Sequence, residues 1–199
     1  MKMRTFLLGV GAQKSGTTWL YDYLNNLENT NFGPFKEWHI WDWKFRESFS
    51  NFEVKKNNSE NTNINKIRFQ MQNEDGFYEK YFLSLTSKKN FLTGDITPSY
   101  CCLNSNELIK IKTKLVNVGF DVKVVYLMRD PIERCWSATR MIIKLNKKYK
   151  NISNHEANLL FLNYYNSEEF KLRTTYEFTI TNLLKAFDKN QIYFGFYEN

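Results

Sequence analysis

The chain of 199 residues is poor in cysteine, proline and glycine, and it has no long hydrophobic run. Its three cysteines (Cys101, Cys102 and Cys135) make no disulfide framework, and their spacing relative to the two histidines matches no metal site. These absences exclude zinc chemistry and predict a protein without bound metal. The longest apolar run, residues 6–12, is far shorter than the roughly 18 residues of a membrane helix and too glycine-rich for a signal peptide. We therefore expect a cytoplasmic protein without a membrane anchor, or a soluble fragment of a longer one.

The composition is that of a folded, basic protein. Hydrophobic residues make up 42% of the chain and aromatic residues 17%, which is enough to fill a sizeable core and is not typical of a disordered chain. The formal net charge is +7, from 28 Lys and Arg against 21 Asp and Glu. The lysines are scattered, which favours a solvated basic surface, with attraction of an anionic ligand as the alternative, and argues against a nucleic-acid partner. The lysine- and asparagine-rich composition suits a microbial or viral protein.

The order of apolar runs predicts one α/β domain over residues 1–199, in which helices cover both faces of a mainly parallel sheet. Residues 46–73 are polar and asparagine-rich and are expected to form a surface insertion or loop. Asp130, Pro131 and Glu133 form a strong helix-start signal directly after the most apolar strand. The expected strands are residues 5–11, 91–94, 122–128 and 191–197, and the later helices are expected near 77–85, 105–118, 131–145, 153–165 and 168–187.

A glycine-rich loop, residues 11–18 (GAQKSGTT), lies between the first strand and the first helix. Backbone amides at a helix N-terminus bind anions, and glycines let the backbone approach a phosphate closely. A kinase-type loop would place lysine directly after the second glycine, where Thr17 stands, whereas the lysine of this loop is Lys14. The sequence therefore predicts a P-loop NTPase-like fold with a phosphate site that lacks the usual lysine and magnesium arrangement.

Residues 14–20 (KSGTTWL) resemble the 5′-phosphosulfate loop of the sulfotransferases that use 3′-phosphoadenosine 5′-phosphosulfate (PAPS). The resemblance implies that PAPS is the cofactor and that Lys14 helps to neutralise the leaving phosphate. It implies cofactor contacts for Lys14, Ser15, Gly16, Thr17, Thr18 and Trp19.

A second segment, residues 124–141, carries Arg129 at the carboxyl end of the strongest strand and Ser137 about two turns inside the next helix. Arginine offers a planar donor fork to phosphate, and serine adds a hydroxyl. Considered alone, Arg129 and Asp130 could form a structural ion pair. The segment resembles the 3′-phosphate-binding element of the same family, which implies that Arg129 and Ser137 hold the 3′-phosphate of PAPS.

Residues 36–43 (KEWHIWDW) combine titratable and aromatic side chains. A carboxylate shielded by tryptophans can have a raised pKa and serve as a general base, although the same pattern fits an amphipathic edge. The segment is similar to one in heparan sulfate glucosaminyl and related carbohydrate sulfotransferases. That similarity implies Glu37 as the catalytic base, with Lys36, His39 and Asp42 at the acceptor. Estrogen- and phenol-type relatives use a histidine base, so His39 is the alternative.

A fourth segment, residues 94–100, resembles the turn that carries an active-site lysine in heparan-modifying enzymes. Ile96 stands at that position here, which suggests a less anionic acceptor. Asp95 is expected to orient Lys14 or a substrate hydroxyl.

The function implied by these motifs is in-line transfer of a sulfonate group from PAPS to a hydroxyl, or less readily an amine, without a metal. The acceptor is expected to be a small molecule or oligosaccharide, and a carbohydrate in particular. The alternatives are a P-loop kinase that acts on a small molecule and a non-catalytic nucleotide- or RNA-binding module. Family members continue beyond the last strand into a segment that closes over the nucleotide, so we expect the chain to be truncated at its C-terminus.

Overall fold

A computed structural model describes residues 3–58 and 62–198 of the chain. Its centre is a sheet of four parallel strands in the order β2-β1-β3-β4. The strands are β1 (Thr5–Gly11), β2 (Leu92–Ile96), β3 (Asp121–Met128) and β4 (Ile192–Phe196). β1 and β3 are central and largely buried, as expected for continuous apolar runs in a parallel sheet. The predicted three-layer α/β fold is confirmed.

Helices flank this sheet on both faces. They are α1 (Thr17–Asn25), α2 (Trp41–Phe45), α3 (Asn63–Asn73), α4 (Phe77–Ser84), α5 (Ser105–Asn117), α6 (Pro131–Leu145), α7 (Asn154–Tyr165), α8 (Glu168–Thr174) and α9 (Tyr176–Ala186). Asp130 caps α6 by accepting a hydrogen bond from the Glu133 amide at 2.9 Å, as the helix-start signal predicts. Residues 168–187 form two helices rather than one, because Thr175 has a non-helical ψ of 77°. No helix in the described ranges is long and apolar enough to cross a membrane.

An aromatic cluster fills one side of the core beneath β1. The ring of Phe6 contacts Phe82 edge-on at a centroid distance of 5.0 Å and packs near Tyr78 and Phe120. These side chains are almost completely buried, and full burial of a large apolar side chain contributes about 1.5–3 kcal/mol each. These four aromatic side chains thus help to hold the sheet that positions the site.

The segment 46–73, expected to be a surface insertion or loop, contains regular secondary structure. It begins with a 3₁₀ turn, Glu47–Phe52, and ends with α3, while residues 59–61 lie outside the described part. The few apolar residues of this polar segment hold it against the domain, because Phe49 and Met71 both pack into the main core. In α3, Arg68 donates a hydrogen bond from Nη2 to the backbone carbonyl of Glu37 at 3.0 Å, which ties this segment to the site.

Candidate active site

A cavity of about 510 Å³ lies where the phosphate loop after β1 and residues following the other strands come together. The carboxyl ends of parallel strands are where open α/β sheets bind ligands, and the volume suits a nucleotide-sized molecule. The structure brings most of the predicted site residues to this cavity. Those that line it are Lys14, Gly16, Thr17, Thr18, Trp19, Lys36, Glu37, His39, Arg129 and Ser137.

The phosphate loop has the backbone geometry of an anion site. Lys14 and Gly16 have φ values of 66° and 86°, which turn the chain sharply before α1 begins at Thr17. The first amides of α1 have no partner within the helix, so they are available to a ligand. Ser15 does not line the cavity, because the residue is buried, with 1% of its surface exposed.

Cations are concentrated around this loop. Burial and then the nearby charges of Arg129, Lys36 and Arg140 lower the pKa of Lys14. Like charges held this close disfavour one another, so an anion bound among them relieves their repulsion. The arrangement therefore selects an anionic ligand at Lys14.

Arg129 lies at the end of β3 and connects the cation cluster to α6. Its guanidinium donates from Nη1 to the Lys14 carbonyl at 3.3 Å, pairs with Glu133 at 3.4 Å and lies over the Tyr197 ring at 4.5 Å. The structure gives Arg129 Glu133 as its ion-pair partner, while Asp130 is engaged in capping α6. The alternative of an Arg129–Asp130 pair is therefore wrong.

Lys36 connects the phosphate loop to the base candidate. Its Nζ donates to the hydroxyls of Thr17 and Thr18 at 3.1 Å each and to Glu37 Oε1 at 2.7 Å. Burial alone would raise the pKa of Glu37, but the hydrogen bond from His39 and the charge of Lys36 outweigh burial and lower it.

Tryptophan shielding does not raise the pKa of Glu37, contrary to the sequence-based expectation. Trp38 and Trp41 are 0% and 3% exposed because they pack into the core, away from the carboxylate. The carboxylate of Glu37 is thus ionised and paired in the free protein.

His39 is fixed on three sides. Its Nδ1 lies 2.6 Å from Asp42 Oδ2, its Nε2 lies 3.5 Å from Glu37 Oε2, and its ring stacks on Phe52 at a centroid distance of 3.5 Å and an angle of 5°. Burial alone lowers the pKa of His39, but hydrogen bonds to Asp42 and then Glu37 outweigh burial and raise it. His39 also has a φ of 53°, a conformation that costs a non-glycine residue energy and is held by these contacts.

Asp42 lies behind His39 and not in the cavity lining. It is 0% exposed and accepts a hydrogen bond from Ser99 Oγ at 2.5 Å in addition to its contact with His39. The expectation that Asp42 faces the acceptor does not fit this burial. Its contacts position the imidazole instead.

Asp95 is likewise buried beneath the site and is absent from the lining of the cavity. Its carboxylate accepts hydrogen bonds from the hydroxyls of Tyr78 (3.0 Å), Tyr100 (2.7 Å) and Thr97 (2.6 Å), and burial raises its pKa to about 6. These partners fix the turn after β2, so the expected role in orienting Lys14 or a substrate hydroxyl does not match the geometry.

Several residues that line the cavity were not predicted from the sequence: Phe52, Ser99, Arg173 and Tyr197. Tyr197 follows β4, and the signal that could have found it is that all parallel strands end at one edge of the sheet. Its ring also limits the space beside Gly16, where an added Cβ would lie 3.1 Å from it. Phe52 gave no such signal, because it lies in the asparagine-rich segment.

We expect the imidazole of His39 to titrate above its ordinary value of 6.5 and Asp42→Asn to lower its pKa. Because the pKa of His39 is higher in the folded protein than in the unfolded chain, protonation of the ring stabilises the fold. This stabilisation is fully present below about pH 6.5 and is lost as the pH rises through the pKa of His39 in the folded protein. NMR titration of His39 in the wild-type protein and in Asp42→Asn measures this pKa directly. A pKa of His39 at or below 6.5, or no effect of Asp42→Asn, would contradict the geometry.

The cations and helix amides of this cavity fit a ligand that carries anionic groups at two ends, as PAPS does. Cations lie at Lys14 and Arg129, within one cavity of suitable size, and free helix amides adjoin them. Among the described residues, there is no group of three or more His, Cys, Asp or Glu that could hold a metal ion.

Neither the protein-family models nor the curated proteins compared with this sequence match it. Among solved structures, a sulfotransferase from Alicyclobacillus acidocaldarius is similar, with a TM-score of 0.61 over 99% of this chain and 74% of that chain. The sequence identity is 16%, so the similarity concerns the fold. The chain therefore has the α/β fold of a sulfotransferase, and its candidate active site lies at the carboxyl ends of the parallel strands.

Proposed function

We propose that the protein is a sulfotransferase that binds PAPS in this cavity and transfers the sulfonate group to an acceptor hydroxyl. The observation that carries the proposal is the placement of Lys14 and Arg129 in one cavity, with the pKa of Lys14 lowered by burial and neighbouring cations. PAPS, when bound, supplies a sulfonate group activated by its bond to the 5′-phosphate. A carbohydrate acceptor and a cytoplasmic location stay predictions from the sequence.

Two parts of the protein hold the two charged ends of this donor. Lys14 and the first amides of α1 face the 5′-phosphate and stabilise the charge that develops there as it leaves. Arg129 and Ser137 bind the 3′-phosphate and so fix the orientation of the donor for in-line attack. The protein performs these tasks with fixed cations and amides, which need no reorganisation during the reaction.

Glu37 is the proposed general base. A base must be unprotonated to act, and the lowered pKa of Glu37 keeps it ionised, whereas the raised pKa of His39 favours the imidazolium. An anionic donor beside Glu37 raises the pKa of the carboxylate towards the range in which a base is efficient. His39, positioned by Asp42, holds the Glu37 carboxylate in place, and it is the alternative base.

Calorimetric titration of the protein and its Arg129→Ala variant tests the donor assignment. We expect the desulfonated product, adenosine 3′,5′-bisphosphate (PAP), to bind the wild-type protein without magnesium. Loss of the charged hydrogen bonds to the 3′-phosphate, about 1.5–3 kcal/mol, should weaken PAP binding by roughly 10- to 100-fold in Arg129→Ala. The affinity for adenosine 5′-phosphosulfate, which lacks the 3′-phosphate, should change little. Equal losses for both ligands would show that Arg129 does not contact the 3′-phosphate.

A further inference from the structure

Residues 36–40 carry Glu37 and His39 and form no helix or strand, so contacts with other elements decide their conformation. Several of these contacts come from the end of β2 and the turn after it. They are hydrogen bonds from the amides of Trp38, His39 and Ile40 to the side chains of Asp95, Thr97 and Tyr100, at 3.5, 3.5 and 3.3 Å respectively. His39 has a φ of 53°, so the segment holds a conformation that costs energy and depends on the contacts that support it.

Arg68, in α3, supplies a contact to this segment from a different part of the chain. Its Nη2 donates a hydrogen bond to the backbone carbonyl of Glu37 at 3.0 Å, and its guanidinium lies over the Phe35 ring at 5.0 Å. This hydrogen bond limits rotation of the peptide group between Glu37 and Trp38. Because the carbonyl and the carboxylate belong to the same residue, the bond also limits the positions that the Glu37 carboxylate can take.

The helix α3 is fixed against the rest of the protein, so Arg68 acts from a rigid support. Met71 is buried in the main core. Gln72 lies about one turn after Arg68, and its Nε2 donates to the backbone carbonyl of Phe52 at 3.0 Å. The ring of Phe52 in turn stacks on His39. α3 therefore contacts both the segment that carries Glu37 and the aromatic residue that covers His39.

Arg68 is also a cation close to buried acidic side chains. Asp42 and Asp95 are both 0% exposed, and their charges and that of Glu37 act on the guanidinium. Burial lowers the pKa of Arg68, and these carboxylates act against that effect. An arginine stays protonated at neutral pH, so the positive charge is retained next to the Glu37 backbone. Arg68 is not among the described residues that line the cavity containing Lys14, so it is not placed to contact the donor.

We propose that Arg68 is a positioning residue for the reaction: by holding the Glu37 carbonyl, it keeps the Glu37 carboxylate beside His39 and at the cavity. The inference rests on the proposed sulfonate transfer with Glu37 as the general base. In that step the acceptor oxygen forms a bond to sulfur and its proton passes to the Glu37 carboxylate. The bond from sulfur to the 5′-phosphate oxygen breaks, and its electron pair stays on the phosphate. Arg68 acts on the proton transfer through Glu37, so its loss should affect turnover more than donor binding.

Arg68→Met tests this role, because it removes the guanidinium but keeps an apolar side chain against Phe35. We expect the turnover of labelled PAPS, with an acceptor selected from phenols, alcohols and oligosaccharides, to fall by about 10- to 100-fold, since a small displacement of a catalytic group has effects of that size. Calorimetry should show an unchanged PAP affinity. The matched control Lys66→Met removes a charge from an exposed position on the same helix and should behave like the wild-type protein.

NMR titration of His39 distinguishes the positioning of Glu37 from a loss of charge. The imidazole faces the carboxylates of Asp42 and Glu37 at 2.6 and 3.5 Å. If Arg68 keeps Glu37 in place, Arg68→Met weakens the contact between Glu37 and His39 and so lowers the pKa of His39. Loss of the positive charge of Arg68 on its own would raise that pKa, and a role in folding alone would leave it unchanged.

Arg68→Lys is a second variant, which keeps the charge but changes its shape and reach. We expect a smaller loss of turnover and a smaller fall in the pKa of His39. If thermal unfolding shows that Arg68→Met does not fold, the titration of Arg68→Lys decides. An unchanged or raised pKa of His39, or wild-type turnover, in the folded variant would overturn the role of Arg68 and leave the donor assignment intact. Failure of the wild-type protein to bind PAP would overturn the proposed function and with it this inference.

Discussion

Lys14→Ala should lower the turnover number for sulfonate transfer by about 100- to 1,000-fold, because removal of a preorganised donor to a developing anion has effects of that size. PAP affinity should fall as well, since Lys14 lies among the cations that the ligand neutralises. Turnover is measured as transfer of labelled sulfonate from PAPS to an acceptor selected from a panel of phenols, alcohols and oligosaccharides.

The matched control for Lys14→Ala is Lys147→Ala, which removes an equal charge from an exposed position outside the cavity. This variant should transfer sulfonate like the wild-type protein. Lys14→Arg keeps the charge but changes its shape and reach, so we expect it to recover PAP binding more than turnover. Equal losses in Lys14→Ala and Lys147→Ala would mean that only the overall charge matters, contrary to the proposed role of Lys14.

Glu37→Gln should lower turnover by about 100- to 10,000-fold, the range found for loss of a general base. Glutamine has nearly the same shape but cannot accept the proton. PAP affinity should stay the same or rise, because the change removes a negative charge that pairs with Lys36 in the phosphate region. Turnover and PAP titration are measured on the same preparations.

His39→Gln distinguishes the two candidate bases. If Glu37 is the base, His39→Gln loses positioning and should reduce turnover less than Glu37→Gln does. In His39→Gln, turnover should still fall at low pH as the Glu37 carboxylate becomes protonated. In Glu37→Gln, this fall should be absent. The reverse order of effects, with Glu37→Gln nearly active and His39→Gln inactive, would assign the proton transfer to His39.

The part of the site that contains Lys14 and Arg129 could be predicted from the sequence because its residues are placed by local geometry. A buried strand, a glycine loop and a helix fix Lys14 at one strand end, and the apolar β3 followed by an N-cap fixes Arg129 at another. Parallel strands end at a common edge, so two local motifs sufficed to predict one cavity. Each such residue lies within a few positions of the element that places it.

The surroundings of Glu37 were harder to predict because they depend on contacts between distant segments. Whether Glu37 is shielded depends on the direction in which Trp38 and Trp41 point. Their spacing in the sequence is compatible both with packing into the core and with packing against Glu37, and both side chains are buried in the core. The Asp95 carboxylate is occupied by hydrogen bonds from the hydroxyls of Tyr78, in the preceding helix α4, and Tyr100, in the turn after β2. The sequence pattern around Asp95 does not reveal these contacts.

The segment 46–73 shows a further limit of sequence patterns. Two apolar residues are hidden in its asparagine-rich composition: Phe49, which packs into the core, and Phe52, which stacks on His39 and lines the cavity. Few apolar residues in a polar segment produce no periodic signal. The contact that gives Phe52 its role exists only once the turn at 47–52 has packed against the rest of the chain.

A crystal structure of the protein with PAP tests the central claim most directly, because it locates both phosphates. We expect the 5′-phosphate to lie within hydrogen-bond distance of Lys14 Nζ and the first amides of α1. We expect the 3′-phosphate to contact Arg129 and Ser137 in the same cavity. A PAP molecule bound in the reverse orientation, or outside this cavity, would contradict the account.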